Sequence, residues 1–254
     1  GTTGESATLD TEEHLQVIKR TVERVAGRIP VIAGTGSNST AEAIHQTQEA
    51  EAAGADACLL VTPYYNRPTQ EGLFRHFEAI AASTSVPVVL YNVPPRTGCD
   101  LAPETVGRLS KLDGIVGIKE ACGDASRVTH IRDAVAAQGV EEFFILSGED
   151  AQTLQMMTLG AVGTISVTAN VLPAEMSEFC AAYLRGDIEQ ASALDRRLQP
   201  VHDIIFVESS PTPAKWALAD IGRMPGGIRL PLIPLSVEHH QEVRLRIQTA
   251  GNSQ

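Results

Sequence analysis

Lys119 closes the apolar run Gly114-Ile115-Val116-Gly117-Ile118-Lys119-Glu120, which reads as a short buried strand ending in an amine. The other lysines are less unusual: Lys19 and Lys111 sit among polar neighbours on predicted helices, and Lys215 follows a proline-rich turn. A partly desolvated ammonium loses hydration, so its neutral, nucleophilic form becomes easier to reach. Such an amine attacks a carbonyl and forms a Schiff base. The competing reading is a strand-end lysine reaching out to solvent. Tyr91 ends another predicted strand one βα unit earlier. Adjacent parallel strands lie about 4.8 Å apart, so both side chains can point into one pocket. A phenol beside an amine relays the protons of carbinolamine formation and dehydration. A core tyrosine with a satisfied hydroxyl is the alternative. Arg96 lies in Tyr91-Asn92-Val93-Pro94-Pro95-Arg96-Thr97-Gly98, a loop stiffened by its paired prolines. Its planar fork suits a carboxylate, although a surface arginine on a turn reads the same way. Tyr64 and Tyr65 follow a further strand, and consecutive exposed tyrosines mark an interface more readily than catalysis.

These residues need a frame. Apolar, β-rich runs occur at 30–33, 57–62, 86–91, 115–119, 143–146 and 163–167. Amphipathic stretches at 39–53, 69–82, 102–111, 125–137 and 151–159 lie between them, with Ser39, Thr69 and Asp124 as helix caps. Strand starts recur every twenty to thirty residues or so, the length of one βα unit. Continuous apolar strands joined by helices imply a parallel sheet covered by helices. The turn Gly34-Thr35-Gly36-Ser37-Asn38 lacks the third glycine of a dinucleotide loop, which disfavours an open doubly wound sheet. Polar residues at successive strand ends (Thr35, Tyr64, Tyr91, Lys119, Ser147 and Ser166) favour a (β/α)8 TIM barrel.

The visible runs fall short of eight strands, and Gly1–Ser6 reads as a βα loop entering a helix at 11–25. The expectation is therefore an N-terminally incomplete barrel over residues 1–185, with strands 1 and 2 absent. Residues 186–254 form a helical C-terminal extension packed on the same unit, with helices near 188–207, 213–221 and 237–249. The helix at 173–184 finishes the barrel.

Composition narrows the partners. The 254 residues are 43% apolar with a net charge of -11, ordinary for a globular chain and unsuited to nucleic acid. No run approaches the roughly eighteen apolar residues of a membrane span, and no charged-then-apolar leader opens the chain. The cysteines Cys58, Cys99, Cys122 and Cys180 are scattered as free thiols suited to a reducing cytoplasm. The histidines show no metal-ligand spacing, so no metal is expected.

Several segments carry a resemblance over essentially the whole chain: GTTGES at the start, TPYYNRP at 62–68, YNVPPRTG at 91–98, GIKEACGD at 117–124 and ISVTAN at 165–170. In this order they closely resemble the dihydrodipicolinate synthase (4-hydroxy-tetrahydrodipicolinate synthase) family, within the class I pyruvate-dependent aldolases. The resemblance implies a lyase that joins pyruvate to L-aspartate-4-semialdehyde, the first committed step of the diaminopimelate route to lysine. It implies no cofactor beyond a Schiff base between pyruvate and Lys119. Tyr91, Thr2 and Tyr65 match the proton relay, with Tyr65 reaching in from a neighbouring subunit. Arg96 matches the arginine that holds the aldehyde's carboxylate. Thr3 matches the threonine that positions the pyruvate carboxylate, and Ile165 lines that pocket through its carbonyl. Ser6, Ala7, His14, Asn38, Glu42 and Tyr64 match positions around an L-lysine inhibition site. Thr11 stands where some members carry a histidine. A cytoplasmic homotetramer, a dimer of dimers, is implied.

Other readings stay open at this point. N-acetylneuraminate lyases and keto-sugar-acid aldolases share the lysine, the tyrosine and the GTTGE loop; Arg96 within PPRTG argues against them. An inactive fragment is the reading from a different class, because an open barrel exposes strand edges and apolar core.

Overall fold

The computed structural model describes residues 1–251. The chain divides into two compact units. A sheet unit comprises Leu9–Gly148 and Thr158–Val162; a helical unit comprises Gly1–Thr8, Glu149–Met157 and the chain from Gly163 onward.

The sheet unit is a run of βα repeats. Strands β1 (Ile32–Gly34), β2 (Ala57–Val61), β3 (Val88–Asn92), β4 (Ile115–Glu120) and β5 (Phe144–Ser147) pair in sequence order, all parallel. Helices α1 (Thr11–Val25), α2 (Thr40–Ala52), α3 (Gln70–Ala81), α4 (Pro94–Thr97), α5 (Pro103–Leu109) and α6 (Arg127–Ala136) lie along this stretch. Their starts are chemically marked. Asp10 and Glu13 form a reciprocal capping box on α1. The Ser39 and Thr69 side chains accept the Glu42 and Gly72 amides at the heads of α2 and α3. Leu73, Phe77 and Ile80 bury one face of α3 completely, each contributing about 2 kcal/mol.

Burial alternates along β2, with Cys58 and Leu60 covered and Ala57, Leu59 and Val61 partly open, while β3 is buried throughout. The even-numbered residues of β2 lie on the better-covered face of the sheet. The odd-numbered Leu59, Val61, Tyr91, Val93 and Ala121 pack with one another as a separate apolar cluster. Period two thus separates two environments on one ladder.

The register between β3 and β4 is irregular. Val88 pairs with Ile115 but Val89 pairs with Gly117, leaving Val116 as an extra residue in β4. This bulge puts Lys119 opposite Tyr91 and Glu120 opposite Asn92. A Cβ on Gly117 would lie 2.5 Å from the Phe144 ring and 2.6 Å from its carbonyl oxygen, so only glycine lets β5 approach there.

The helical unit contains short 3-10 turns at Thr2–Gly4, Ser6–Thr8, Asp150–Gln152 and Thr168–Asn170. Its helices are α7 (Thr153–Thr158, whose last residue falls in the sheet unit), α8 (Pro173–Leu184), α9 (Ile188–Ile204), α10 (Thr212–Asp220) and α11 (Val237–Gly251). Helix α9 packs against α8 and α11, burying Phe179, Leu198, Val201 and Val243. Among the described residues no helix is long and apolar enough to cross a membrane.

Three expectations need correction. The run at 163–167 is not a strand; only Thr164 makes a bridge. At the far end of the run, Asp150 Oδ2 accepts the backbone amides of Val167 and Thr168 at 2.9 and 2.8 Å, so those two are not available to a ladder. The Arg96 segment is a helical turn rather than a loop, started by Pro94 and closed by Gly98 at φ 67. Asp124 does not cap α6 directly; its Oδ1 accepts the Ser126 amide at 2.9 Å, and α6 begins at Arg127.

Candidate active site

Lys119 sits one residue from the carboxyl end of β4 and is only 9% exposed. Tyr91 occupies the matching place on β3, also buried. The Lys119 Nζ lies 4.2 Å from the centroid of the Tyr91 ring. A ring face at this distance stabilises a cation, and Tyr91 itself packs in the apolar cluster of Val93, Ala121, Leu59 and Val61. Leu146 is the β5 partner of Lys119 in the register, extending the same face. Gly148, just beyond β5, provides room: a Cβ there would stand 2.9 Å from Lys119 Cε and 2.7 Å from Ala121 Cβ.

One residue further along both strands, the side chains turn to the other face. Asn92 is completely buried and Glu120 nearly so. Asn92 Nδ2 donates to Glu120 Oε1 and Oε2, both at 3.1 Å, and to Asp100 Oδ1 at 2.8 Å. Asn92 Oδ1 accepts the Leu101 amide at 3.0 Å. Arg127 holds the second Asp100 oxygen at 3.0 Å. Burial pushes the Glu120 carboxyl up to about 7, against the opposing pull of the Asn92 hydrogen bond and the Arg127 charge. Burial and the neighbouring Glu120 likewise push the Cys122 thiol up to about 11. The sequence reading missed Asn92, Glu120 and Gly148. The only signal was that Asn92 and Glu120 directly follow Tyr91 and Lys119.

The remaining sheet-unit candidates fall into two places. Arg96 is exposed on α4, beside the buried Thr97, whose Oγ1 bonds the carbonyl of Val93 at 3.2 Å and that of Cys99 at 2.9 Å. His14, Asn38, Glu42 and Tyr64 gather around the segment that links β1 to α2. His14 Nε2 bonds the Gly34 carbonyl at 2.8 Å, and burial holds this imidazole below its ordinary pKa. Glu42 accepts from Ser37 Oγ at 2.7 Å, and Asn38 Nδ2 donates to the Tyr64 carbonyl at 3.1 Å. Tyr65 is 90% exposed at φ 73, a left-handed conformation that a bulky residue rarely takes. Its amide is tied to the Thr97 carbonyl at 3.3 Å, and the Asn66 amide group donates to the Asn38 carbonyl at 2.9 Å.

The other candidates belong to the helical unit. Thr2 and Thr3 form a half-buried 3-10 turn, closed by Glu5 in the left-handed region at φ 56. The Glu5 carboxylate receives Lys215 Nζ and the Arg229 amide, the latter at 2.8 Å. Burial works to raise its pKa, but those bonds and charges prevail and hold it below the ordinary value. Ser6 and Ala7 lie on the next turn, and Ile165 is half-buried after the Thr164 bridge.

The chain is similar to known proteins in sequence and in fold. The model of the dihydrodipicolinate synthetase family matches residues 1–250. A 4-hydroxy-tetrahydrodipicolinate synthase of Pseudomonas aeruginosa is 55% identical over 99% of this chain and 85% of its own length. The crystal structure of the chloride-inhibited dihydrodipicolinate synthase of Acinetobacter baumannii, complexed with pyruvate, matches with a TM-score of 0.94 at 49% identity. That match covers 99% of this chain and 85% of the other. The enzyme of Cyanidioschyzon merolae with lysine bound matches with a TM-score of 0.93 at 38% identity, over 99% and 84% of the two chains. The fold class is the α/β, (β/α)8 barrel class of these enzymes, with a helical C-terminal region. With its parallel βα repeats, its buried strand-end lysine and a family match along nearly its whole length, this chain belongs to the dihydrodipicolinate synthetase family.

Proposed function

We propose that this chain is a lyase that condenses pyruvate with L-aspartate-4-semialdehyde to give 4-hydroxy-tetrahydrodipicolinate, through a Schiff base on Lys119. The reading is carried by the buried Lys119 amine lying against the Tyr91 ring at paired strand ends. Neutral Lys119 adds to the C2 ketone of pyruvate, and the carbinolamine loses water to give an iminium. The cationic iminium draws electrons from C3, which loses a proton and becomes an enamine carbon. That carbon attacks the aldehyde, whose oxygen takes a proton. The substrate's own amino group then displaces Lys119 from C2, closing the ring and restoring the free amine. No further electron sink is needed, so the chemistry requires no added cofactor.

Proton transfers in this scheme fall to Tyr91, Thr2 and Tyr65. The exposure and left-handed backbone of Tyr65 support a role in a neighbouring subunit's pocket, within a homotetramer built as a dimer of dimers. Thr3 and the Ile165 carbonyl would orient pyruvate, and Arg96 would hold the aldehyde's carboxylate. L-Lysine would bind near His14, Asn38, Glu42 and Tyr64, with Ser6 and Ala7. Activity that does not respond to added lysine would remove that last assignment. The barrel over 1–185 with a C-terminal extension, and a cytoplasmic location, belong to the same proposal.

Borohydride reduction in the presence of pyruvate tests the central claim. The expected result is a pyruvate-derived mass on the peptide that contains Lys119. No adduct, or one on Lys215, overturns the reading.

A further inference from the structure

The Arg96 segment leaves the sheet at Asn92, makes one helical turn and returns at Leu101. Both ends meet on one side chain. Asn92 Oδ1 accepts the Leu101 amide at 3.0 Å, and Asn92 Nδ2 donates to the Asp100 carboxylate at 2.8 Å. The same amide group reaches across the ladder to both Glu120 oxygens at 3.1 Å, next to Lys119. Both polar atoms of this wholly buried side chain are engaged, and all the side chain's partners lie at the far end of the loop or on the end of β4. A buried amide with its partners satisfied is costly to rearrange, so the segments it joins move together.

From this geometry we infer that Asn92 is a positioning residue, tying the turn that carries Arg96 to the strand end that carries Lys119. The inference rests on the roles given above to Arg96 and Lys119. Carbon–carbon bond formation requires the enamine carbon and the aldehyde carbon to approach within about 3.5 Å. Lys119 fixes the first carbon and Arg96, through the substrate carboxylate, fixes the second. Whatever joins the two residues sets the distance that the reaction must bridge. Asp100 and Glu120 are the two grips of the tie. Arg127 steadies the first grip from the start of α6.

Asn92→Ala should lower kcat/KM for aspartate semialdehyde about 100-fold, the scale of a 1 Å misplacement, while borohydride trapping of pyruvate stays within about threefold. A structural defect of the strand would lower both equally. Glu120→Gln, which keeps an acceptor for Asn92, should turn over the aldehyde faster than Glu120→Leu. Hydrogen exchange over residues 93–101 should quicken in Asn92→Ala without quickening elsewhere in the sheet unit. Should Asn92→Ala not fold, Asp100→Ala releases the same tie from its more exposed end and should show the same split between substrates. Unchanged aldehyde kinetics, equal losses for both substrates, or unaltered exchange over 93–101 would each overturn the inference. Failure of the underlying reading looks different: wild-type protein gives no Lys119 adduct, or Arg96→Ala uses the aldehyde normally.

Discussion

Two adjacent rungs of the β3–β4 ladder share the same strands and are both buried, yet their surroundings are opposite in character. The Tyr91–Lys119 rung faces an apolar cluster and sets an amine against an aromatic ring. The Asn92–Glu120 rung faces the other way and saturates its polar atoms with loop and strand partners. A reacting amine must exchange a proton and then form a covalent bond, which an apolar, shaped surround permits. A scaffold must not exchange its partners, which a saturated buried network enforces. Period two allows both on consecutive residues.

The largest way to break this contrast is Lys119→Arg. A guanidinium does not form the Schiff base, so turnover should fall at least about 1000-fold with no borohydride-trapped pyruvate. Circular dichroism should show an intact fold. Retained turnover would move the chemistry off the first rung.

The second rung is tested through pH. The Glu120 carboxyl stands near 7 in the fold against an ordinary 4.5, so the folded state binds the extra proton. Stability from this group is therefore complete below about pH 4.5 and is lost as pH rises through about 7, by as much as about 3 kcal/mol. The groups facing it are Asn92, Asp100, Arg127 and Cys122. Urea unfolding at pH 5 and pH 8 should show the loss in wild type and a flatter response in Glu120→Gln. An equal slope in both proteins would mean that the second rung is stable as a charged one.

Gly148→Ala probes the room beside the first rung. Its methyl would stand 2.7 Å from Ala121 Cβ and 3.1 Å from the Glu120 carbonyl, besides 2.9 Å from Lys119 Cε. The lysine end can shift but the backbone cannot. We expect about a tenfold lower rate of pyruvate trapping, measured by single-turnover mass spectrometry, because a displaced amine meets the ketone at a poorer angle. An unchanged rate would show that Lys119 has space to spare.

The smallest effect comes from a control that touches neither rung. Thr69→Ala removes the cap bond to the Gly72 amide and should cost about 1 kcal/mol in urea unfolding, with kinetics unaltered. A kinetic change there would show that the rungs feel distant helix packing.

Much of this was legible in advance, for local reasons. Apolar runs followed by polar residues marked β1 through β5, and Ser39 and Thr69 marked the heads of α2 and α3. Tyr91 and Lys119 stood out because a phenol and an amine ended apolar runs one βα unit apart. The expected sixth strand is reduced to a bridge at Thr164, and its far end is held by a non-local partner, Asp150, which takes the amides at 167 and 168. The paired prolines at 94 and 95 suggested stiffness, but the helical turn they start depends on Gly98 closing it.

The sequence by itself determined β1 through β5, the capped heads of α2 and α3, and that an amine closes an apolar run, because caps, periodicity and composition are local properties. Only the tertiary structure decided that Lys119 opposes Tyr91. Without the extra residue Val116, straight pairing from Val88 and Ile115 would set Lys119 against Asn92, on the face of the network. The spacing along the chain is the same in both registers. What differs is how β4 sits between β3 and β5, where Gly117 admits Phe144, and no local pattern records that contact.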